Sequence, residues 1–284
     1  MLYAYNADRK GSIKNNFIFK HLSSSPVAAA ERIESMFAHQ ETCSFNEDLS
    51  VDIRDLLCGY IGTKTLDEHL QDFCEHTREF HISEYALDIK RPLRLKDLWE
   101  DDPIGSGGPD VVDIEHLKSS EKEEIKKIFY PFESVIHPNH VFKVMSNRDI
   151  KKIKRRYNEN SIFKAELKKR KFRSKSIGED FRKAQFQEIV WLDLTFKLKT
   201  WALERGYDSF VYKNFKEGRG EDSFVTLRPN QVKETGKSLQ FLEQKYLDEI
   251  PSAISIMVQR LKQQNVKLQC NLLWGQQDPM RFWG

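Results

Sequence analysis

Gly206-Tyr207-Asp208-Ser209-Phe210-Val211-Tyr212-Lys213-Asn214 and, two residues later, Glu217-Gly218-Arg219-Gly220-Glu221-Asp222-Ser223-Phe224-Val225-Thr226-Leu227-Arg228-Pro229-Asn230-Gln231-Val232-Lys233 form the stretch on which the fold turns. The residues before it, Phe186, Ile189, Val190, Leu194, Leu198 and Trp201, recur at helical spacing, so Gly206 reads as the C-terminal cap of an amphipathic helix. Beyond that cap, Ser209–Tyr212 and Ser223–Leu227 read as strands joined by a glycine-containing loop. Alternation in the second strand sets Glu221, Ser223, Val225 and Leu227 on one face and Asp222 and Phe224 on the other.

Working outward, the chain opens on a strand, Leu2–Tyr5, followed by a polar turn through Asn6-Ala7-Asp8. A second strand is expected at Phe17-Ile18-Phe19. Ser25 then reads as the N-cap of a helix with Pro26 in its first turn and Val27, Ala30, Ile33, Met36 and Phe37 at helical spacing. Leu49 to Phe80 reads as mainly helical. Ile82, Tyr85, Leu87 and Ile89 mark a strand leading into Lys90–Leu95, where Pro92 requires a sheet edge or a bulge. Asp101 to Pro109 reads as a loop, with Gly105-Ser106-Gly107-Gly108 a flexible turn that lacks the lysine and hydroxyl of a phosphate-binding loop. Amphipathic helices are expected near Leu239–Ile250 and from Ser252 to Gln264, followed by an alternating strand at Val266, Leu268, Cys270 and Leu272.

Between Lys143 and Lys183 there are sixteen Lys or Arg against five Asp or Glu, a local charge of +11 in a chain whose net charge is +3. The rest of the chain therefore carries −8. A block of this kind is an interaction surface for a polyanion or a solvated helix face, and Lys168-Lys169-Arg170-Lys171-Phe172-Arg173 favours the first. We place nucleic-acid contacts at Lys168, Lys169, Arg170, Lys171 and Arg173. No window approaches the roughly 18 consecutive apolar residues of a membrane span. The start of the chain also lacks the pattern of a signal peptide. Cys43, Cys58, Cys74 and Cys270 are scattered, which suits reduced thiols in a cytoplasmic protein. His69, His76 and His81 around Cys74, and the pair His137 and His140, lack zinc-ligand spacing, so no metal is assigned.

The Gly206–Lys233 stretch resembles the C-terminal end of ADP-ribosyltransferase-fold proteins of phages, mobile elements and bacterial toxins. There a helix ends in a "GYDG" turn and strand, an acidic loop follows, and a strand finishes in "P-x-Q-I-K", matched here by Pro229-Asn230-Gln231-Val232-Lys233. Glu84-Tyr85-Ala86-Leu87-Asp88-Ile89-Lys90-Arg91-Pro92-Leu93 is similar to the family's "Y-L-x-I-x-N-P-L" strand, with Arg91 in place of the usual Asn. Phe17 to Ala30 is similar to its "F-x-S-S-P-x-x-A" run. The resemblance implies an α+β fold of split antiparallel sheets with flanking helices. Residues 1–120 and 186–235 would form the two parts of that domain. Residues 121–185 would be a basic, mainly helical insertion, and 236–284 a helical extension with an aromatic tail.

The resemblance also implies cleavage of the nicotinamide–ribose bond of NAD, which passes through a cationic, oxocarbenium-like state. An aromatic ring, hydroxyls and a carboxylate are the groups that hold and stabilise it. Glu221 is the first choice of catalytic carboxylate, with Asp222 and Glu217 behind it. The competing reading makes all three loop-solubilising acids. The second glutamate of the family's E-x-E pair falls on Ser223. Tyr3, Tyr5 and Asn6 stand where a "Y-H-G-T" run or an arginine is usual. With Ser23, Ser24 and Ser25 they are the expected NAD contacts, and Arg9 or His21 could add a polar one. The implied function is a mono-ADP-ribosyltransferase, a toxin or phage-defence effector acting on RNA, DNA or protein. The alternatives are an inactive module that binds nucleic acid or a protein through the insertion, and a metal nuclease, the weakest of the three because no carboxylate cluster stands out. The aromatic tail, Trp274 to Gly284, either docks on its own domain or binds an antitoxin or chaperone.

Overall fold

The first strand, β1 (Leu2–Arg9), runs straight through the expected turn at Asn6–Asp8. The computed structural model describes residues 2–10, 18–41, 76, 79–96, 103–176, 181–215, 217 and 220–239, without the side chains of 34–41, 138–139, 169–176, 181–185 and 239. Polar residues remain extended in β1 because partners distant in sequence satisfy them. The Asp8 carboxylate accepts from Asn6 Nδ2 at 2.8 Å, from Lys20 Nζ at 2.9 Å and from the Tyr85 hydroxyl. Burial pushes the Asp8 carboxyl up, but the Tyr85 hydrogen bond and the Lys20 charge outweigh it and hold the group below its ordinary value.

The second strand is displaced from Phe17–Phe19. Phe19 takes a positive φ of 58° in a turn, and β2 is His21–Ser23. The Phe19 backbone N–H donates to the Thr226 carbonyl, and its ring packs edge-on at 5.3 Å against Phe196. α1 (Pro26–Glu41) starts as expected, with the Ser25 hydroxyl accepting from the Ala28 N–H at 3.3 Å. It packs on β1 and β3 (Phe80–Leu87), burying Ala28, Ala29 and Ile33. Phe80 thus opens a strand rather than closing a helix. β4 (Pro92–Arg94) is an edge strand, as Pro92 requires.

The expected loop near Asp101–Pro109 contains a packed 3-10 segment over Ile104–Val111. Gly105 is buried and its N–H donates to Thr195 Oγ1 at 2.8 Å. A Cβ there would lie 2.1 Å from the Trp191 carbonyl oxygen, so close packing rather than flexibility requires the glycine. The basic stretch folds into α2 (Ser119–Phe129), α3 (Pro138–Val144), α4 (Asn147–Arg156) and α5 (Ser161–Ser176). All four pack on α6 (Phe181–Glu204). Phe129, Val141, Ile150, Ile153 and Phe163 are buried in the same core as Leu192 and Leu198 of α6 and Phe210 and Val225 of the sheet. The cations of this stretch therefore ride on helices anchored by their apolar faces.

β5 (Ser209–Asn214), β6 (Glu221–Thr226) and β7 (Val232–Leu239) complete a seven-stranded sheet of order β4-β5-β6-β2-β1-β3-β7. The fold is α+β, but the described strands form one hydrogen-bonded sheet rather than split sheets, and β4 runs parallel to β5. β1 and β2 register through a single pair, Tyr5 opposite Ser23. Leu239 is the end of β7. The helices and strand expected beyond it, the aromatic tail, the four cysteines and His69 lie outside the described residues. No helix among the described residues is long and apolar enough to cross a membrane.

The motif residues around Gly206 knit three turns together. Gly206 (φ 80°) ends α6, and the Tyr207 N–H donates to the Ala202 carbonyl at 2.9 Å. The Asp208 carboxylate accepts from the Lys90 N–H at 2.7 Å and from the Arg91 N–H at 3.1 Å. The Arg91 guanidinium lies 4.6 Å from the centre of the Tyr207 ring and donates to the Arg205 carbonyl. Buried Gln231 accepts through Oε1 from the N–H groups of Leu227 and Arg228 and donates through Nε2 to the Asp208 carbonyl at 2.6 Å. The "GYDS" turn, the "PNQVK" turn and the β3–β4 turn are therefore one structural unit.

Candidate functional site

Residues facing each other across antiparallel strands share a face, so the sheet register alone assembles a polar row. Glu84 of β3 lies opposite Tyr5 of β1, Tyr5 opposite Ser23 of β2, Ser23 opposite Ser223 of β6, and Ser223 opposite Tyr212 of β5. Hydrogen bonds reinforce the row. Ser23 Oγ donates to the Tyr5 carbonyl at 3.0 Å, and the Tyr5 hydroxyl donates to Glu84 Oε2 at 3.3 Å. His21 Nδ1 lies 3.0 Å from the Tyr212 hydroxyl. Tyr3 alternates onto the Tyr5 face, is 45% exposed, and has Lys237 Nζ 6.0 Å from its ring centre. Lys237 also pairs with Glu84 at 3.3 Å. Burial raises the Glu84 carboxyl, but hydrogen bonds involving Thr235 and Lys237, the Lys237 charge and the Tyr5 hydroxyl bring it below its ordinary value, so it is anionic at neutral pH.

The three candidate carboxylates have different surroundings. Asp222 points to the opposite face from Ser223 and binds Arg94 through two hydrogen bonds, at 2.9 and 3.1 Å. That hydrogen bonding raises the Arg94 pKa above its ordinary value. Glu217 pairs with Arg32 of α1 at 3.1 Å, and its N–H donates to Asn214 Oδ1 at 2.9 Å, fastening the β5–β6 loop to the helix. Glu221 is exposed at the start of β6 and alternates onto the Ser223 face. Its carboxylate accepts from Ser24 Oγ at 3.4 Å, a contact set up by the Ser24 N–H donating to the Asp222 carbonyl at 3.0 Å. Glu221 is thus the one of the three that no cation holds among the described residues.

Of the expected contacts, Tyr3, Tyr5, Ser23 and Glu221 fall on one face of the sheet from three distant segments, with Ser23 bonded to Tyr5 and Ser24 to Glu221. Asn6 does not join them, since it faces the other side of β1 and bonds Asp8. The Ser25 hydroxyl is engaged as the α1 cap. Arg9 pairs with Glu79. His76 bonds the Ile33 carbonyl at 3.0 Å, and burial lowers its pKa below the ordinary histidine value. Among the described residues, no three His, Cys, Asp or Glu side chains gather as metal ligands would. Lys168 is exposed on α5, while Lys169, Arg170, Lys171 and Arg173 continue that helix with side chains outside the described ones.

Sequence reasoning missed Glu84, Tyr212, Arg94, Arg32 and Lys237. The first two carried a usable signal, an acidic or phenolic group at one face of a predicted strand. Lys237 lies on β7, which was not expected. The ion pairs of Arg94 and Arg32 span 128 and 185 residues and have no local signature. No protein-family model matches the chain, and no curated protein or solved structure matches it either.

Proposed function

We propose that this chain is a mono-ADP-ribosyltransferase, a toxin or defence effector that transfers ADP-ribose from NAD to a macromolecule. The observation that carries the reading is Glu221, exposed and held by no cation among the described residues, beside Ser24 on the sheet face shared by Tyr5 and Ser23. The donor set fits the chemistry. Tyr3 and Tyr5 offer aromatic surface to the nicotinamide, Ser23 and Ser24 offer hydroxyls, and Glu221 offers negative charge to the developing ribosyl cation. In the reaction, the bond from ribose carbon to nicotinamide nitrogen breaks with its electron pair leaving on nicotinamide. The acceptor's N–H or O–H nucleophile bonds that carbon, and its proton passes to Glu221. Purified protein incubated with labelled NAD and separate pools of RNA, DNA and protein should label one pool, and Glu221→Gln should abolish it. No transfer to any pool by folded protein would sink the proposal.

A second reading, a non-catalytic binding module, draws on the first strand. The site-facing residues there are Tyr3 and Tyr5 rather than histidine or a free arginine, since Arg9 is engaged by Glu79. An unchanged phenotype in Glu221→Ala and Asp222→Ala variants, with loss on charge reversal at 168–173, would select it.

A further inference from the structure

The outward face of α4 carries a row of cations. Ile150 and Ile153 are buried, which sets the helix's rotation and turns Arg148, Lys151, Lys152 and Arg155 outward at i, i+3, i+4 and i+7. All four are exposed. At 1.5 Å per residue the row runs about 10 Å along the helix. Lys152 reaches Asp149 at 3.4 Å, but that carboxylate is already engaged by the hydroxyl and N–H of Ser146 as the helix cap. No ion pair is seen at Arg148, Lys151 or Arg155 among the described residues. Arg156 belongs to a different arrangement: it points back to buried Asp193 at 2.7 Å and locks α4 onto α6. Lys164 and Lys168, one turn apart on α5, add two more exposed cations.

We propose that this face of α4 is a docking surface for the phosphate backbone of a nucleic acid. Three alternatives for such a row differ in what else they need. An anionic bilayer is held by a helix that inserts its apolar side, and the apolar side of α4 is buried in the core. A protein partner is held mainly by apolar or aromatic anchors ringed by polar residues, and α4 has no exposed apolar residue. A repeating polyanion needs only closely grouped, rigidly presented cations, which the row supplies. The Arg156–Asp193 pair provides the rigidity. The surface does not depend on Glu221 or on NAD.

The test uses the full chain and fluorescence anisotropy with short single-stranded RNA, single-stranded DNA and duplex DNA over a range of salt. Replacing Arg148, Lys151, Lys152 and Arg155 by Gln should weaken binding on the order of 100-fold at low salt. It should also reduce the slope of log K against log salt by about 3 for a single strand, at roughly 0.7 per phosphate contact. The control replaces four other exposed lysines, Lys90, Lys118, Lys127 and Lys233, by Gln, which changes the net charge equally and should leave both quantities nearly unchanged. Equal losses in the two variants would reduce the effect to net charge and overturn the proposal. So would tight binding to phosphatidylserine vesicles or polyglutamate without measurable binding to any of the three nucleic acids. The melting temperature of the α4 variant should match that of the unaltered chain, because none of the four side chains is buried.

Discussion

The node around Asp208 and Gln231 and the rim around Glu221 come from the same stretch of chain and use their polar groups in opposite ways. In the node, one end of the Gln231 amide binds the backbone of its own turn and the other the Asp208 carbonyl, while both Asp208 oxygens meet backbone N–H groups of the β3–β4 turn. At the rim, two carboxylates are held by arginines, and the third has a long hydrogen bond to one serine. The recognisable letters of the stretch thus encode how three chain reversals are fastened. The chemistry we propose depends on a single acidic residue that no local pattern distinguishes from its neighbours.

Four experiments would break or sharpen this contrast. The largest effect on stability is expected from Gln231→Ala, which removes the partner of the buried Leu227 N–H and of two part-buried groups, the Arg228 N–H and the Asp208 carbonyl, and should cost about 2 kcal/mol in chemical denaturation. A cost near zero would remove the node from the fold's supports. Asp222→Ala breaks the two-pronged Arg94 contact, which is about one-third exposed, so the loss should be about 1 kcal/mol after allowing for solvent screening.

Acid provides a third probe through His76. Its folded pKa is lowered by burial, so below about 6.5 the unfolded chain binds the extra proton first. Stability should therefore be intact above that pH and fall as the pH drops towards the folded value. His76→Gln, which keeps a donor for the Ile33 carbonyl, should flatten that slope. The smallest effect on stability belongs to Glu221→Ala, within about 0.5 kcal/mol for an exposed side chain. The same variant should lose ADP-ribosyl transfer by about 100-fold or more. A Glu221 variant that unfolds would erase the distinction between node and rim.

What the sequence made legible was local. Ser25 before Pro26, Gly206 after an amphipathic run and the alternation of Glu221–Leu227 are patterns that a few neighbouring residues determine. What it concealed depended on partners far along the chain. Asn6–Asp8 looks like a turn until Lys20 and Tyr85 are seen to satisfy it. Gly105 looks flexible until Thr195 and Trp191 are seen packed against it. β7, with Lys233, Glu234, Thr235, Gly236 and Lys237, has too little apolar character to signal a strand, and pairing with β3 makes it one. The candidate site was legible as three separate segments. Which carboxylates were engaged by arginine was not, because those ion pairs are tertiary.

The single residue pair between β1 and β2 has a mechanical consequence. A plate joined along so short a line flexes there first, so the amide protons of β2 should exchange with solvent sooner than those of β5. A ligand gripping Tyr5 on one bank and Glu221 on the other would act as a suture across that line. It would stiffen the whole sheet, and the slowed exchange would report its arrival even at residues it never touches.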